Sequence, residues 1–175
     1  MGLRSAHLST GSFRGKPRDP GRHPRGKRGF SLVEILIAVS IVGILAAIAI
    51  PSYLHYLEKN KEAQAISDIN IIAGKLKEIM MEDLGALPDD LATINLPLTD
   101  PWGRPYKYLR LYNRPANAND ARKDHNLHPI NTYFDLCSMG PDGQTHKNLQ
   151  NSKSRDDIIF ANDGAFVGKA SVYDP

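Results

Sequence analysis

The stretch Lys27-Arg28-Gly29-Phe30-Ser31-Leu32-Val33-Glu34-Ile35-Leu36-Ile37-Ala38-Val39 joins a basic leader to an apolar run that continues to Ile50. About 20 apolar residues at ~1.5 Å rise per residue cover the ~30 Å hydrocarbon core of a bilayer, so the run has the length of a spanning helix. It contains a single carboxylate, Glu34. A charge at the bilayer centre costs ~2.5 to 3.5 kcal/mol on insertion scales, which places Glu34 near the end of the span and calls for a partner. A secretory signal peptide carries its cleavage site beyond the apolar region. Here the processing signal, Gly29-Phe30, precedes it. Cleavage there frees the leader and leaves the apolar helix as the new N-terminus, with Phe30 first and Glu34 fifth.

Charge divides at the same point. Eight of the 22 basic residues lie in residues 1–29 against one of the 19 acidic residues, Asp19; the 14 and 18 that remain give residues 30–175 a formal charge of −4. The overall +3 belongs to the leader. A basic segment beside a span stays cytoplasmic, so residues 51–175 are expected on the periplasmic side of an inner membrane, and no nucleic-acid partner is expected. The Gly, Pro and Arg content of the leader is that of a disordered segment. Its length is also what a start codon assigned too far upstream produces.

The motif Gly29-Phe30-Ser31-Leu32-Val33-Glu34, the run Ile35 to Val39 and Pro51 just past the span resemble the N-terminus of type IV pilins and type II secretion pseudopilins. The resemblance implies that a prepilin peptidase cuts between Gly29 and Phe30 and methylates the Phe30 amine. It also implies that Glu34 is needed for filament assembly. An amine and a carboxylate in a low-dielectric helix bundle attract strongly, and each offsets the other's desolvation. Proline removes a backbone donor and crowds the carbonyl four residues earlier, so bending or melting between Gly43 and Pro51 is easy. The plainer reading is a signal anchor that tethers a soluble domain.

Beyond Pro51 the apolar residues Tyr53, Tyr56, Leu57, Ile66, Ile69, Ile72, Ala73, Leu76, Ile79 and Met80 recur at three- and four-residue steps and continue the helix. Gly74 weakens it, and Leu84-Gly85 with Pro88 supply a stop. The stripe should pack on a small sheet, because no heptad persists. Tyr53 and Tyr56 are expected at the membrane or filament interface.

Residues 98–108 hold Asp100-Pro101-Trp102-Gly103-Arg104-Pro105-Tyr106, a compact turn that feeds a strand from Tyr106 to Tyr112. This turn resembles the major pseudopilin, the G subunit of type II secretion, more than a generic pilin. Residues 113–130, rich in Asn, Asp, Arg and His, look like an inserted surface loop. Residues 132–138 suggest another strand. Cys137 is the sole cysteine, so no intramolecular disulfide forms. A buried apolar filler is the better reading of it, with a covalent dimer as the alternative.

The strand ends in Met139-Gly140-Pro141-Asp142-Gly143, and Asp156-Asp157-Ile158-Ile159-Phe160 follows a polar loop. Asp142, Asp156 and Asp157 could converge on one cation, since calcium takes about six to eight oxygen ligands and clips a long loop. The segment is similar to the pseudopilin calcium loop. That similarity implies side-chain ligands from Asp142, Asp156 and Asp157 and a backbone carbonyl from Met139. The intervening loop is long and carries Lys147, Lys153 and Arg155, which oppose a cation. The other reading is a β-hairpin with a solvated Asp-Gly turn and an Asp pair opening the next strand.

No His-Glu-x-x-His, P-loop or nucleophile elbow is present, and His125 and His128 read as surface residues, so no enzyme is expected. The expectation is an α+β, pilin-like protein: leader 1–29, membrane and assembly helix 30–50, and a periplasmic domain 51–175 whose long helix packs on a small antiparallel sheet. The resemblance implies a homopolymer that works with minor pseudopilins, prepilin peptidase, membrane lipid, and an inner-membrane assembly platform with its ATPase. The filament would help export folded proteins. The alternative is a type IV pilin for adhesion, twitching or DNA uptake.

Overall fold

The computed structural model describes residues 29–82, 86–96 and 99–174. The leader up to Arg28, the Leu84-Gly85 stop and Leu98 lie outside the described residues. Compact units divide after Gly43, with Ile44 opening the second.

In the first unit, Ser31 starts the helix. Its Oγ accepts from the Val33 amide at 3.2 Å, and its carbonyl accepts from the Ile35 amide at 3.2 Å. A serine there satisfies amides that lack partners in a first turn, and Glu34 in that same turn meets the positive end of the helix dipole. Helix α1 runs Leu32–Glu82, with Pro51 inside it. The early turns carry a long apolar surface: Leu32, Leu36, Val39 and Val42 are all exposed, with Glu34 and Ser40 among them. Such a contiguous patch marks contact with a membrane or with other helices. Its length and composition suffice to cross a membrane.

In the second unit, α1 buries Ala65, Ile69, Ile72, Ala73 and Leu76, one face at three- and four-residue steps. Ile66, Ile79 and Met80 border this stripe, while Tyr53 and Tyr56 are exposed. Helix α1 ends at Glu82, before Pro88.

The stripe packs on a four-stranded antiparallel sheet in the order β1 (Lys107–Arg110), β2 (Phe134–Ser138), β3 (Ile158–Ala161), β4 (Phe166–Lys169). Register pairs Tyr108 with Leu136, Cys137 with Ile159, and Ile159 with Gly168. Alternation sends Phe134, Leu136, Ile158 and Phe160 to the helix side, where the Phe134 and Phe160 rings stack 5.0 Å apart. Cys137, Ile159 and Ala161 face the other way, into a second cluster with Ile130, Leu149, Ala170 and Tyr173.

That second cluster corrects one expectation. Residues 113–130 are not simply a surface loop, because Ala121, Arg122, Asp124 and Ile130 are buried. They cover the apolar back of the sheet together with the 144–155 loop. The two segments pair: the Lys123 amide donates to Lys147 O at 2.8 Å, the Leu149 amide to Lys123 O at 3.0 Å, and Gln150 Nε2 to Asp124 Oδ1 at 2.6 Å. Strand β4 was not anticipated from the sequence.

Candidate functional site

Two features bear on function: the exposed N-terminal end of α1, and the linkage from α1 to the loop after β2. Gly29 and Phe30 precede the helix, and both are exposed. Glu34 is exposed as well, one turn in. Pro51 lies within a continuous helix, and the Ser52 hydroxyl bonds back to Ile48 O at 3.1 Å.

The turn at Asp100 connects the helix to the sheet. Asp100 Oδ1 accepts from the Trp102 and Arg104 amides at 3.1 and 2.8 Å, and the Gly103 amide donates to Asp100 O at 2.9 Å. Asp100 Oδ2 accepts from the Ser138 hydroxyl at 2.6 Å. Trp102 Nε1 donates to Glu58 Oε2 on α1 at 2.9 Å, and the Tyr106 hydroxyl to Asp68 Oδ2 at 2.9 Å. Arg104 Nη1 reaches Gly140 O at 2.7 Å, and its Nη2 reaches Pro141 O at 3.3 Å. One turn therefore holds α1 on one side and the 138–142 loop on the other.

The Trp102 hydrogen bond, followed by those of Lys61, holds the Glu58 carboxyl below its usual range. A lowered folded-state pKa stabilises the fold above the unfolded value and ceases to do so as pH falls through the folded value. Trp102→Phe is accordingly expected to lower the melting midpoint slightly at neutral pH, and the difference from wild type should vanish in acid below the carboxylate range. Circular-dichroism melts at both pH values check this; a deficit that persists in acid would assign the loss to packing.

Of the four residues expected at a metal, the structure brings Asp142 and Asp156 into contact and holds Asp157 on an arginine. Asp142 is exposed, its Oδ1 accepting from the Gln144 amide at 2.7 Å, an Asx turn. Asp156 Oδ2 accepts from the Asp142 amide at 3.2 Å. Asp157 is fully buried, with Oδ2 paired to Arg122 Nη1 at 3.0 Å and bonded to the Thr145 hydroxyl. Met139 follows β2, between Ser138 and Gly140. Among the described residues no group of three or more His, Cys, Asp or Glu side chains is arranged to hold a metal. Arg122 takes one oxygen of the buried aspartate, and its positive charge opposes a calcium ion there.

Arg122 was missed by sequence reasoning. It is 6 % exposed, deep for a charged residue. Its amide donates to Asp135 Oδ2 at 2.6 Å, and its Nη2 reaches Thr145 Oγ1 at 2.6 Å and Cys137 Sγ at 2.7 Å. Burial pushes the Asp157 carboxyl up to about 6 against the pull of Arg122. Burial also raises the Cys137 thiol to about 11, so this buried thiol is unreactive at neutral pH. His125 and His128 are exposed; the His125 ring lies 3.0 Å from Asp124 Oδ2 and the His128 ring 3.2 Å from Ala121 O.

Comparisons with known proteins agree with this architecture. Residues 24–50 match the family model described as the prokaryotic N-terminal methylation motif. The chain is 30% identical to the type II secretion system core protein G of Xanthomonas campestris, over 73% of this chain and 86% of that protein. It is 29% identical to the core protein G of Pseudomonas aeruginosa, over 69% of this chain and 87% of that protein. It is 36% identical to a fimbrial protein of Pseudomonas aeruginosa, but there the match spans 33% of this chain and only 38% of the fimbrial protein's length. No solved structure matches it. The chain belongs to the family of type II secretion system core protein G, within the type IV pilin superfamily.

Proposed function

We propose that the chain is the major structural subunit of a type II secretion pseudopilus. In this reading Gly29-Phe30 is cut and Phe30 methylated by a prepilin peptidase. The basic leader stays cytoplasmic, the domain is periplasmic, and α1 polymerises by burying its exposed apolar turns among neighbouring copies. An inner-membrane platform and its ATPase supply the energy, minor pseudopilins share the filament, and its growth helps move folded proteins outward. The observation that carries the reading is the reach of the likeness: core protein G relatives match over 69% and 73% of the chain and most of their own length, whereas fimbrial relatives match over 33% to 57% of it.

Processing has a direct readout. The intact mass of the mature protein is expected to equal residues 30–175 plus one methyl group, and Gly29→Glu should leave the leader attached and the amine unmethylated. Mature protein with an unmodified Gly29 N-terminus would overturn the cleavage assignment.

Deleting the coding sequence is expected to stop export of folded enzymes while twitching and DNA uptake continue. Loss of twitching with intact secretion would move the chain to the surface-pilin alternative, which the fimbrial relative keeps in view.

A further inference from the structure

We propose that Arg122, delivered by the 113–130 insertion, is a built-in cation that closes the 138–157 loop in place of a bound metal, so that this domain folds independently of calcium. The proposal concerns the folding of the domain and does not depend on which filament the chain builds.

The segment from Ser138 to Asp157 leaves β2 and returns to β3, and the chain has no cysteine pair to close it. Some group must neutralise the buried Asp157 carboxylate and fix both ends of the loop, because an unpaired buried charge is strongly destabilising. Arg122 does both. Its guanidinium bonds Asp157 at the loop's end, Thr145 in the middle and the Cys137 sulfur on β2, while its own amide is anchored on Asp135 of the same strand. A planar fork with several fixed donors can satisfy these partners at once.

A second guanidinium takes the loop's backbone oxygens. Arg104 holds the carbonyls of Gly140 and Pro141, the type of ligand that calcium draws from a loop. Asp142 and Asp156 each give one carboxylate oxygen to a backbone amide within the loop. One carboxylate oxygen, Asp157 Oδ1, has no hydrogen-bond partner among the described residues. A divalent ion placed on it would lie beside the Arg122 guanidinium and be repelled by it.

The contacts between two loop segments explain how Arg122 reaches its site. Residues 113–130 pair with residues 144–155 through the Lys123 and Leu149 amides and the Gln150–Asp124 hydrogen bond, and Lys147 Nζ donates to Asn119 O at 2.9 Å. That pairing sets Arg122 beside Asp157 and Thr145.

The test uses the full chain purified in detergent, with unfolding followed by near-ultraviolet circular dichroism and by the fluorescence of Trp102, the sole tryptophan. Wild type is expected to melt at the same midpoint with EGTA as with excess calcium chloride, and calorimetric titration with calcium chloride should show no saturable binding. Arg122→Met is expected to lower the midpoint by roughly 10 °C, whereas Lys123→Met, the neighbouring charge, should move it by no more than about 2 °C. Failure of Arg122→Met to fold beside a folded Lys123→Met counts the same way. Arg122→Lys should also melt below wild type, because one ammonium cannot reach Asp157, Thr145 and Cys137 together. Saturable calcium binding, a lower wild-type midpoint in EGTA, or an Arg122→Met midpoint equal to that of Lys123→Met would overturn the proposal.

Discussion

Glu34→Ala is expected to abolish filaments while leaving the processed chain in the membrane. The side chain sits in the first turn of α1, exposed in the single chain and flanked by exposed Leu32, Val33, Ile35 and Leu36. A lone chain can keep its carboxylate at the membrane surface. Packing of copies takes that surface away, and a carboxylate then needs a cation. The amine of a mature Phe30 on an adjacent copy is the cation that the proposed filament supplies. Removing the carboxylate leaves that amine unpaired in an apolar bundle, a loss comparable to the ~2.5 to 3.5 kcal/mol cost of an intramembrane charge and so roughly a hundredfold in affinity at each subunit contact. Since every subunit repeats the contact, polymerisation should fall below detection. Sheared and sedimented filaments measured by immunoblot give one readout, and chain retained in the membrane fraction gives the other. Normal filament yield from Glu34→Ala would remove the pairing role, and loss of the variant from membranes would show that Glu34 acts in insertion instead.

The elements legible in the sequence were those specified by local pattern. The Ile69, Ile72, Ala73, Leu76 spacing can only present one helix face, and Asp100-Pro101-Trp102-Gly103 has turn chemistry that is independent of context. Strands β1, β2 and β3 were marked by aromatic and aliphatic residues between breakers. Arg122 was not legible, because a buried arginine in an Asn- and Asp-rich segment looks like any solvated charge until its partners are known. One signal was available. Ile158-Ile159-Phe160-Ala161 is continuously apolar rather than alternating, which is the mark of a strand covered on both faces. Helix α1 can cover only one. The insertion and the 144–155 loop were the chain left to cover the other, so part of the insertion had to be buried, with its charges paired. Strand β4 carries Gly168 and Lys169, residues with weak strand preference, and is specified by its pairing with β3.

Gly140→Ala is expected to remove a large share of the domain's stability, far more than the same change at Gly103. Both glycines have positive φ, +62° at Gly140 and +85° at Gly103, where a side chain costs about 1 to 2 kcal/mol on conformation alone. Their surroundings differ. A Cβ at Gly103 would meet nothing within 4 Å, whereas one at Gly140 would stand 2.4 Å from the Asp156 carbonyl oxygen and 2.8 Å from its carbon. Relief requires backbone to move, and both sides are held: Gly140 O by Arg104 and its amide by Ser138 Oγ, and the Asp156 segment by the Arg122–Asp157 pair next to it. Separating the two backbone segments at this point breaks those contacts, so the total loss should be ~4 kcal/mol or more, a large share of the ~5 to 15 kcal/mol that stabilises a typical domain. Gly103→Ala should lose only the conformational part. Denaturant midpoints of the two variants beside wild type decide the matter: equal losses would mean that the 138–157 loop adjusts freely, and that the two arginines do not fix it.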